Sequence, residues 1–143
     1  MDRYKSLTLT HSRYDCKYHV VFVPKGRKKT LFGKIRKYLK DVFHELARQK
    51  GCEIISGHMA MDHVHMCIAI PPKYAVSEVI GYLKGKSAIA VARQFGEKQR
   101  NFSGENLWAR GYAVSTVGFE LDKVKDYIAH QEKLDTEKEE GRF

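Results

Sequence analysis

The order of two hydrophobic periods along this chain limits the folds that it can adopt. Segments with the two-residue period of a half-buried β-strand alternate with segments whose apolar residues recur every three or four positions, as on one face of an α-helix. Pro24, Gly51 and Pro71 separate these segments. The predicted elements are strands at residues 16–23, 52–59, 64–70 and 112–117 and helices at residues 34–50, 77–95 and 121–137.

The first six elements follow the order β-α-β-β-α-β, the split βαβ arrangement of ferredoxin-like and RNA-recognition-like domains. We therefore predict an α+β fold, an antiparallel sheet with helices on one face plus a C-terminal helix. We expect Ser77 to cap the second helix and Gly85 to break or bend it. The 143 residues fit a single domain, 1–143, whose polar ends at 1–12 and 136–143 are expected to fray.

A surplus of basic residues points to a polyanionic partner. The chain has 26 Lys and Arg against 17 Asp and Glu, a net charge of +9, and residues 25–40 contain no acidic side chain. Such a surplus on a small domain is typical of proteins that bind nucleic acid or an anionic membrane. The predicted DNA-binding residues are Lys25, Arg27, Lys28, Lys29, Lys84, Lys86 and Arg110. For any one of them, a solvated surface position is the alternative, and Trp108 and Tyr112 can either stack on unpaired bases or pack in the core.

Cysteine usage and hydropathy argue against several other classes of protein. The three cysteines have no Cys-x-x-Cys spacing, which argues against a disulfide framework and a zinc knuckle and favours a reducing, cytoplasmic setting. No apolar run approaches the length of a membrane span, and residues 1–19 lack the apolar core of a signal peptide. The phosphate-binding motif G-x-x-x-x-G-K-[ST] is missing, so no nucleotide cofactor is expected.

Two histidines are spaced so that they can share a metal ion. His63 and His65 lie two residues apart in a predicted strand, so both side chains leave the same face with Cβ atoms about 7 Å apart. Two nitrogens at that separation can bind one cation. Two strand histidines with ordinary hydrogen bonds are the alternative.

A tyrosine and a glutamine share one face of the last predicted helix. Tyr127 and Gln131 are four residues apart, with about 6 Å between their Cβ atoms, and can act together. Tyr127 also belongs to the apolar stripe of that helix with Val124, Ile128 and Leu134. A packing role is therefore the alternative for Tyr127.

Across most of its length the chain resembles the TnpA-type single-tyrosine HUH transposases of small insertion sequences that move as single-stranded DNA. The matching segments are CKYHVVFVPKGRKK at 16–29, DHVHM at 62–66, IPPKYAVSEVIGYLKGKSA at 70–88, LWARGYAVSTVG at 107–118 and VKDYIAHQ at 124–131. Their order and spacing are more specific than any one of them. Gly26 departs from the family, which commonly has an aromatic residue at that position.

The resemblance implies a DNA transposase that cleaves and rejoins single-stranded DNA at insertion-sequence ends through a 5′-phosphotyrosine intermediate. It implies Tyr127 as the nucleophile and His63, His65 and Gln131 as ligands of Mg²⁺ or Mn²⁺. It also implies single-stranded DNA with hairpin-forming ends as the substrate, and a homodimer whose active sites are shared between subunits.

Two other functional classes remain open at this stage. A non-catalytic RNA- or single-stranded-DNA-binding module has the same order of elements, although its central strand carries aromatic residues where this chain has His63 and His65. A metal-dependent phosphodiesterase would use the same histidines to activate water. A repurposed relative that processes chromosomal repeats is a milder alternative.

Overall fold

In the described residues between 16 and 117, strands and helices follow one another in the order that the hydrophobic periods predict. The computed structural model describes residues 7–9, 12–14, 16–96, 107–117 and 138–143. The elements are β1 (Leu7–Leu9), β2 (Ser12–Tyr14), β3 (Lys17–Phe22), α1 (Gly33–Gln49), β4 (Glu53–Ala60), β5 (His63–Ala69), α2 (Val76–Phe95), β6 (Ala113–Val117) and α3 (Lys138–Gly141). The helix predicted at 121–137 lies outside the described residues.

Four of the strands form one antiparallel sheet in the order β4-β5-β3-β6. Side chains directly opposite each other on paired strands share a face, so the register of β3 and β5 sorts the sheet into two sides. Val20, Phe22 and Val64 lie on one side and are at most 2% exposed in the core shared with α1 and α2. The predicted α+β fold, with helices on one face of an antiparallel sheet, is confirmed.

Helix α1 is amphipathic and ends where the sequence predicts. Ile35, Leu39 and Phe43 lie on its buried face. After Gln49 the chain closes with two hydrogen bonds, from Gly51 N to Arg48 O at 3.0 Å and from Cys52 N to Ala47 O at 2.9 Å. Gly51 has φ +67°, the left-handed conformation that terminates helices in this motif.

Helix α2 differs from the prediction in two respects. It runs from Val76 to Phe95 without a break at Gly85, and it begins after Ala75 instead of at Ser77. Ser77 is therefore not the cap, because Ala75 is the last extended residue before the helix. The predicted break at Gly85 was also wrong, because a mid-helix glycine costs only about 1 kcal/mol. Burial of side chains such as Val79 and Leu83 outweighs that cost.

Both ends of the chain contain regular structure where the sequence predicts fraying. β1 and β2 pair with each other, with Leu7 opposite Tyr14. After α3, Phe143 N donates to Gly57 O at 3.0 Å, and its ring lies 5.9 Å from that of Phe43. The tail therefore gains backbone and aromatic contacts with distant parts of the chain, which its charged composition does not reveal.

None of the helices described here has the length and apolar content that a membrane span requires.

The continuity of α2 gives a test of the fold. An added Cβ at Gly85 meets no atom within 4 Å, so we expect Gly85→Ala to raise the free energy of unfolding by about 0.5–1 kcal/mol. The matched variant Gly51→Ala should lower the free energy of unfolding by about 1 kcal/mol, because the left-handed conformation is unfavourable for alanine. Urea unfolding measures both, and a loss of stability in Gly85→Ala would contradict a continuous helix.

Candidate active site

Four imidazoles meet on the sheet face opposite the helices. His63 and His65 lie on β5, with His19 on β3 and His58 on β4, and we call these four the histidine cluster. The ring of His65 is central, with centroids 5.0 Å from His63, 5.3 Å from His58 and 5.9 Å from His19. The structure therefore places the predicted pair His63 and His65 side by side.

The sequence did not single out His19 and His58 as members of this site. For His19 the signal was present, since alternation in β3 puts it on the face opposite Val20. His58 reaches that face because a bulge between Ile54 and Ser56 shifts the register of β4 and sets His58 directly opposite His65. Strict alternation from Ile54 would have turned His58 toward the helices.

Burial keeps His65 uncharged, so that one of its ring nitrogens can donate a lone pair to a metal ion. Its side chain is 7% exposed, and this burial, followed by the charges of His63, His58 and His19, lowers the pKa of His65 to about 3. Burial also lowers the pKa of His19, whose Nε2 is buried and meets no hydrogen-bonding group in the described residues. Near neutral pH His65 therefore keeps a lone pair available for a cation.

A carboxylate and a guanidinium lie behind His63. Nδ1 of His63 lies 2.7 Å from Asp62 Oδ1, and Asp62 Oδ2 lies 3.4 Å from Nε of Arg27. Partial burial acts to raise the pKa of Asp62, but the hydrogen bond with His63 and the charges of His63 and Arg27 outweigh it and lower that pKa. Asp62 is therefore a carboxylate that accepts from the imidazole, and Nε2 of His63 is the nitrogen left for a metal.

The basic loop at residues 24–31 is a folded turn joined to the turn that precedes His63. It contains one turn of 3₁₀-helix at Lys25–Arg27, in which Gly26 has φ +67° and Arg27 has φ +52°. Glycine accepts this conformation, whereas a non-glycine residue pays about 1 kcal/mol for it. Leu31, which is fully buried, donates its backbone N–H to Met61 O at 3.0 Å. The loop is thus attached to the turn that carries Asp62.

Residues 107–111 include the predicted DNA-binding residue Arg110, contact Lys84, and are joined to the basic loop. Lys25 N donates to Leu107 O, and Ala109 N donates to Val23 O, both at 2.9 Å. Lys84 Nζ donates to Ala109 O and Gly111 O at 2.8 Å. The ammonium of Lys84 therefore holds this segment in place, and burial lowers the pKa of Lys84. The exposed side chains are Lys25, Arg27, Lys28, Lys29, Lys86 and Arg110.

Comparison with known proteins places the chain in a family. Residues 12–131 match the family model described as "Transposase IS200 like". The chain belongs to the IS200-like transposase family. It is 41% identical over 124 residues to the transposase for insertion sequence element IS200 of Salmonella typhimurium, a match that covers 87% of this chain and 82% of that protein. It is 32% identical over 119 residues to the ISDra2 transposase TnpA of Deinococcus radiodurans, covering 82% and 85%.

Solved structures share the fold of this transposase. A putative transposase from Deinococcus radiodurans superposes with a TM-score of 0.70 at 28% identity, over 87% of this chain and 97% of that one. A REP-associated tyrosine transposase bound to a REP hairpin gives a TM-score of 0.59 at 14% identity, over 85% and 69%. The resemblance inferred from the sequence motifs is confirmed.

Trp108 of the transposase packs against the hydrophobic core. Its ring lies edge-on to Phe22, with centroids 4.9 Å apart, and its Nε1 donates to Ser87 Oγ at 2.9 Å. The Ser87 side chain is fully buried. Of the two interpretations of Trp108, packing in the core is the one that these contacts support. Tyr112 is likewise partly buried against the core.

Two of the predicted site residues, Tyr127 and Gln131, lie outside the described residues. Within residues 16–96, 107–117 and 140–143, no group of three or more His, Cys, Asp or Glu side chains is arranged to hold a metal ion. His63 and His65 nevertheless fit the nitrogen-donor half of such a site, because Asp62 contacts His63 at Nδ1 and not at Nε2, and burial disfavours protonation of His65. The assignments of Tyr127, Gln131 and the DNA-binding side chains stay predictions.

The buried neutral state of His65 predicts acid sensitivity. In the folded protein its pKa is about 3, whereas the unfolded chain titrates near 6.5, so the unfolded state binds more protons between these values and stability falls as the pH drops through this window. This term removes about 2 kcal/mol between roughly pH 7 and pH 5. Urea unfolding at both pH values should show the loss, which shrinks in His65→Gln. The control His44→Gln, at an exposed site, should keep the full loss of stability. Equal pH dependence in the wild type, His65→Gln and His44→Gln would contradict a buried, neutral His65.

Proposed function

We propose that this transposase cleaves and rejoins single-stranded DNA at insertion-sequence ends through Tyr127, with Mg²⁺ or Mn²⁺ held by His63, His65 and Gln131. The observation that carries the proposal is the pair of imidazoles on the sheet face, with ring centroids 5.0 Å apart. Membership of the IS200-like transposase family supports the same chemistry.

The ligands named here are two imidazoles and an amide, and none of them is an anion. His65 is uncharged near neutral pH, and His63 presents Nε2 while Asp62 accepts from its Nδ1. When bound between them, the divalent ion would neutralise charge on the scissile phosphate and polarise it for attack. Two imidazoles depart from the oxygen-rich sites that Mg²⁺ prefers, so Mn²⁺ should bind this set more tightly.

Tyr127 supplies the covalent step of the proposal. Its phenol loses its proton and the oxygen attacks the phosphorus. The bond from phosphorus to the 3′ oxygen breaks, the leaving oxygen takes up a proton to become a 3′-hydroxyl, and the 5′ phosphate stays on the tyrosine. The phosphotyrosine ester retains the energy of the phosphodiester, so attack by a 3′-hydroxyl rejoins DNA without ATP. A phenol with a pKa near 10 is a weak nucleophile at neutral pH. Tyr127 therefore depends on the cation site for activation.

The exposed basic side chains provide the surface for DNA. Lys25, Lys28 and Lys29 project from a loop attached to the turn before His63, so phosphates bound there lie next to the proposed cation site. Phosphate contacts of this kind give affinity without reading sequence. A transposase of the same fold is bound to a REP hairpin, which supports hairpin-forming ends as the substrate.

A homodimer follows from the count of tyrosines. One Tyr127 holds one cleaved strand, whereas excision requires two ends to be handled together, so we propose that two subunits share their active sites. Strand β6 offers an edge for association. It pairs with β3 in the described sheet, residues 113–116 are exposed, and Val114 is 46% exposed.

Formation of a covalent adduct tests the proposed chemistry. We expect incubation with a labelled single-stranded element end and Mn²⁺ to give a protein-linked product on denaturing electrophoresis, because the 5′ phosphate remains on tyrosine. Tyr127→Phe should abolish it, and Tyr112→Phe serves as the control that keeps it. Cleavage without any protein-linked strand would support the phosphodiesterase instead, and binding without cleavage would support the non-catalytic module.

Separation of binding from cleavage tests the role of His63. We expect His63→Ala to lose cleavage while its affinity for hairpin DNA changes less than about threefold, because phosphate contacts dominate binding. Equilibrium binding and cleavage assays on the same oligonucleotide measure the two effects. Affinity should also fall steeply with salt, and equal losses of binding and cleavage would count against separate roles.

A further inference from the structure

We propose that Arg27 and Asp62 are positioning residues that connect the DNA-binding loop to the metal ligand His63. Three side chains from two segments form a continuous chain of polar contacts. His63 Nδ1 lies 2.7 Å from Asp62 Oδ1, and Asp62 Oδ2 lies 3.4 Å from Arg27 Nε. This inference rests on the proposed function, since it assigns His63 to a metal ion.

The first contact fixes the chemical form of His63. A carboxylate accepts hydrogen bonds only, so Nδ1 carries a proton, and of the two neutral tautomers the contact selects the one with its lone pair on Nε2. The same hydrogen bond restricts rotation of the ring. His63 and Asp62 are 30% and 25% exposed at their side chains, so neither is held by deep burial. Without Asp62, the ring of His63 would sample both tautomers and more than one orientation.

The second contact distinguishes Arg27 from the lysines beside it. Arg27 contacts the carboxylate through Nε while its side chain is 66% exposed, so the two terminal NH₂ groups can still pair with a phosphate. A lysine carries its three donors on one nitrogen, so it cannot hold a carboxylate with one nitrogen and present separate nitrogens to a phosphate. The left-handed backbone of Arg27, at φ +52°, is a strained conformation that the surrounding turn maintains.

The backbone holds the two segments together independently of these side chains. Leu31 N donates to Met61 O at 3.0 Å, one residue before Asp62. Arg27 therefore meets Asp62 from a loop whose far end is already attached to the same turn. Lys28 and Lys29 share that loop and are exposed. We expect them to add to DNA affinity without affecting His63.

Manganese affinity without DNA is the first readout. We expect Asp62→Ala to weaken Mn²⁺ binding by about 10- to 100-fold, the range found when partners of metal-ligating histidines are removed. Asp62→Asn should restore part of it, because its amide oxygen can still accept from Nδ1. Arg27→Gln should weaken it by roughly 2- to 5-fold, as expected for an exposed ion pair. The matched variant Lys28→Gln should leave the Mn²⁺ affinity unchanged. Both Arg27→Gln and Lys28→Gln should weaken binding of hairpin DNA.

The tautomer of His63 is the second readout, and it needs no metal. Long-range ¹H–¹⁵N spectra should show Nε2 unprotonated in the wild type and a mixture of tautomers in Asp62→Ala, with the thermal midpoint unchanged. An unchanged tautomer, or equal Mn²⁺ affinity in Arg27→Gln and Lys28→Gln, would overturn the inference. A wild-type protein that binds no Mn²⁺ even with DNA would instead refute the metal site of the proposed function, while the tautomer still decides the role of Asp62.

Discussion

The antiparallel pairing of β3 with β5 is the constraint on which the site depends. With Val20 opposite Met66 and Val21 opposite His65, every second side chain along both strands enters the core and the others form the opposite face. Hydrophobic burial under α1 and α2 fixes this choice, because a slip of one residue would turn Val64 and Met66 outward and the histidines inward. The packing of the core thus determines where the imidazoles lie.

A second consequence of this pairing is that chemistry and DNA binding occupy connected regions. The basic loop follows the end of β3, and Asp62 lies in the turn before the start of β5. A hydrogen bond from Leu31 N to Met61 O joins the loop to that turn. The segment 107–111 is attached to the start of the same loop and is held by Lys84. A rigid sheet therefore supplies the metal donors while exposed loops at its end supply positive charge.

Local periodicity was sufficient to predict β3, α1, β4, β5, α2 and β6, the sheet that four of them form, and the pair His63 and His65. It failed where long-range packing or local irregularity decides the outcome. Gly85 signalled a break, yet the buried face of α2 outweighs one glycine. The bulge in β4 that brings His58 to the cluster has no counterpart in alternation. The contact between Arg27 and Asp62 joins residues 35 positions apart, and only the folded chain brings them together.

The surroundings of His65 show why such a site costs stability. Its buried position and three neighbouring imidazoles all oppose its protonation, so this histidine gains nothing from folding at acid pH. A neutral imidazole keeps a lone pair, and a cation is the ligand that uses a lone pair without adding a proton. His63, which is more exposed, instead needs Asp62 to present the same lone pair. Burial prepares one imidazole and a hydrogen bond prepares the other, so two neighbouring residues on one strand reach the same donor state by different physical means.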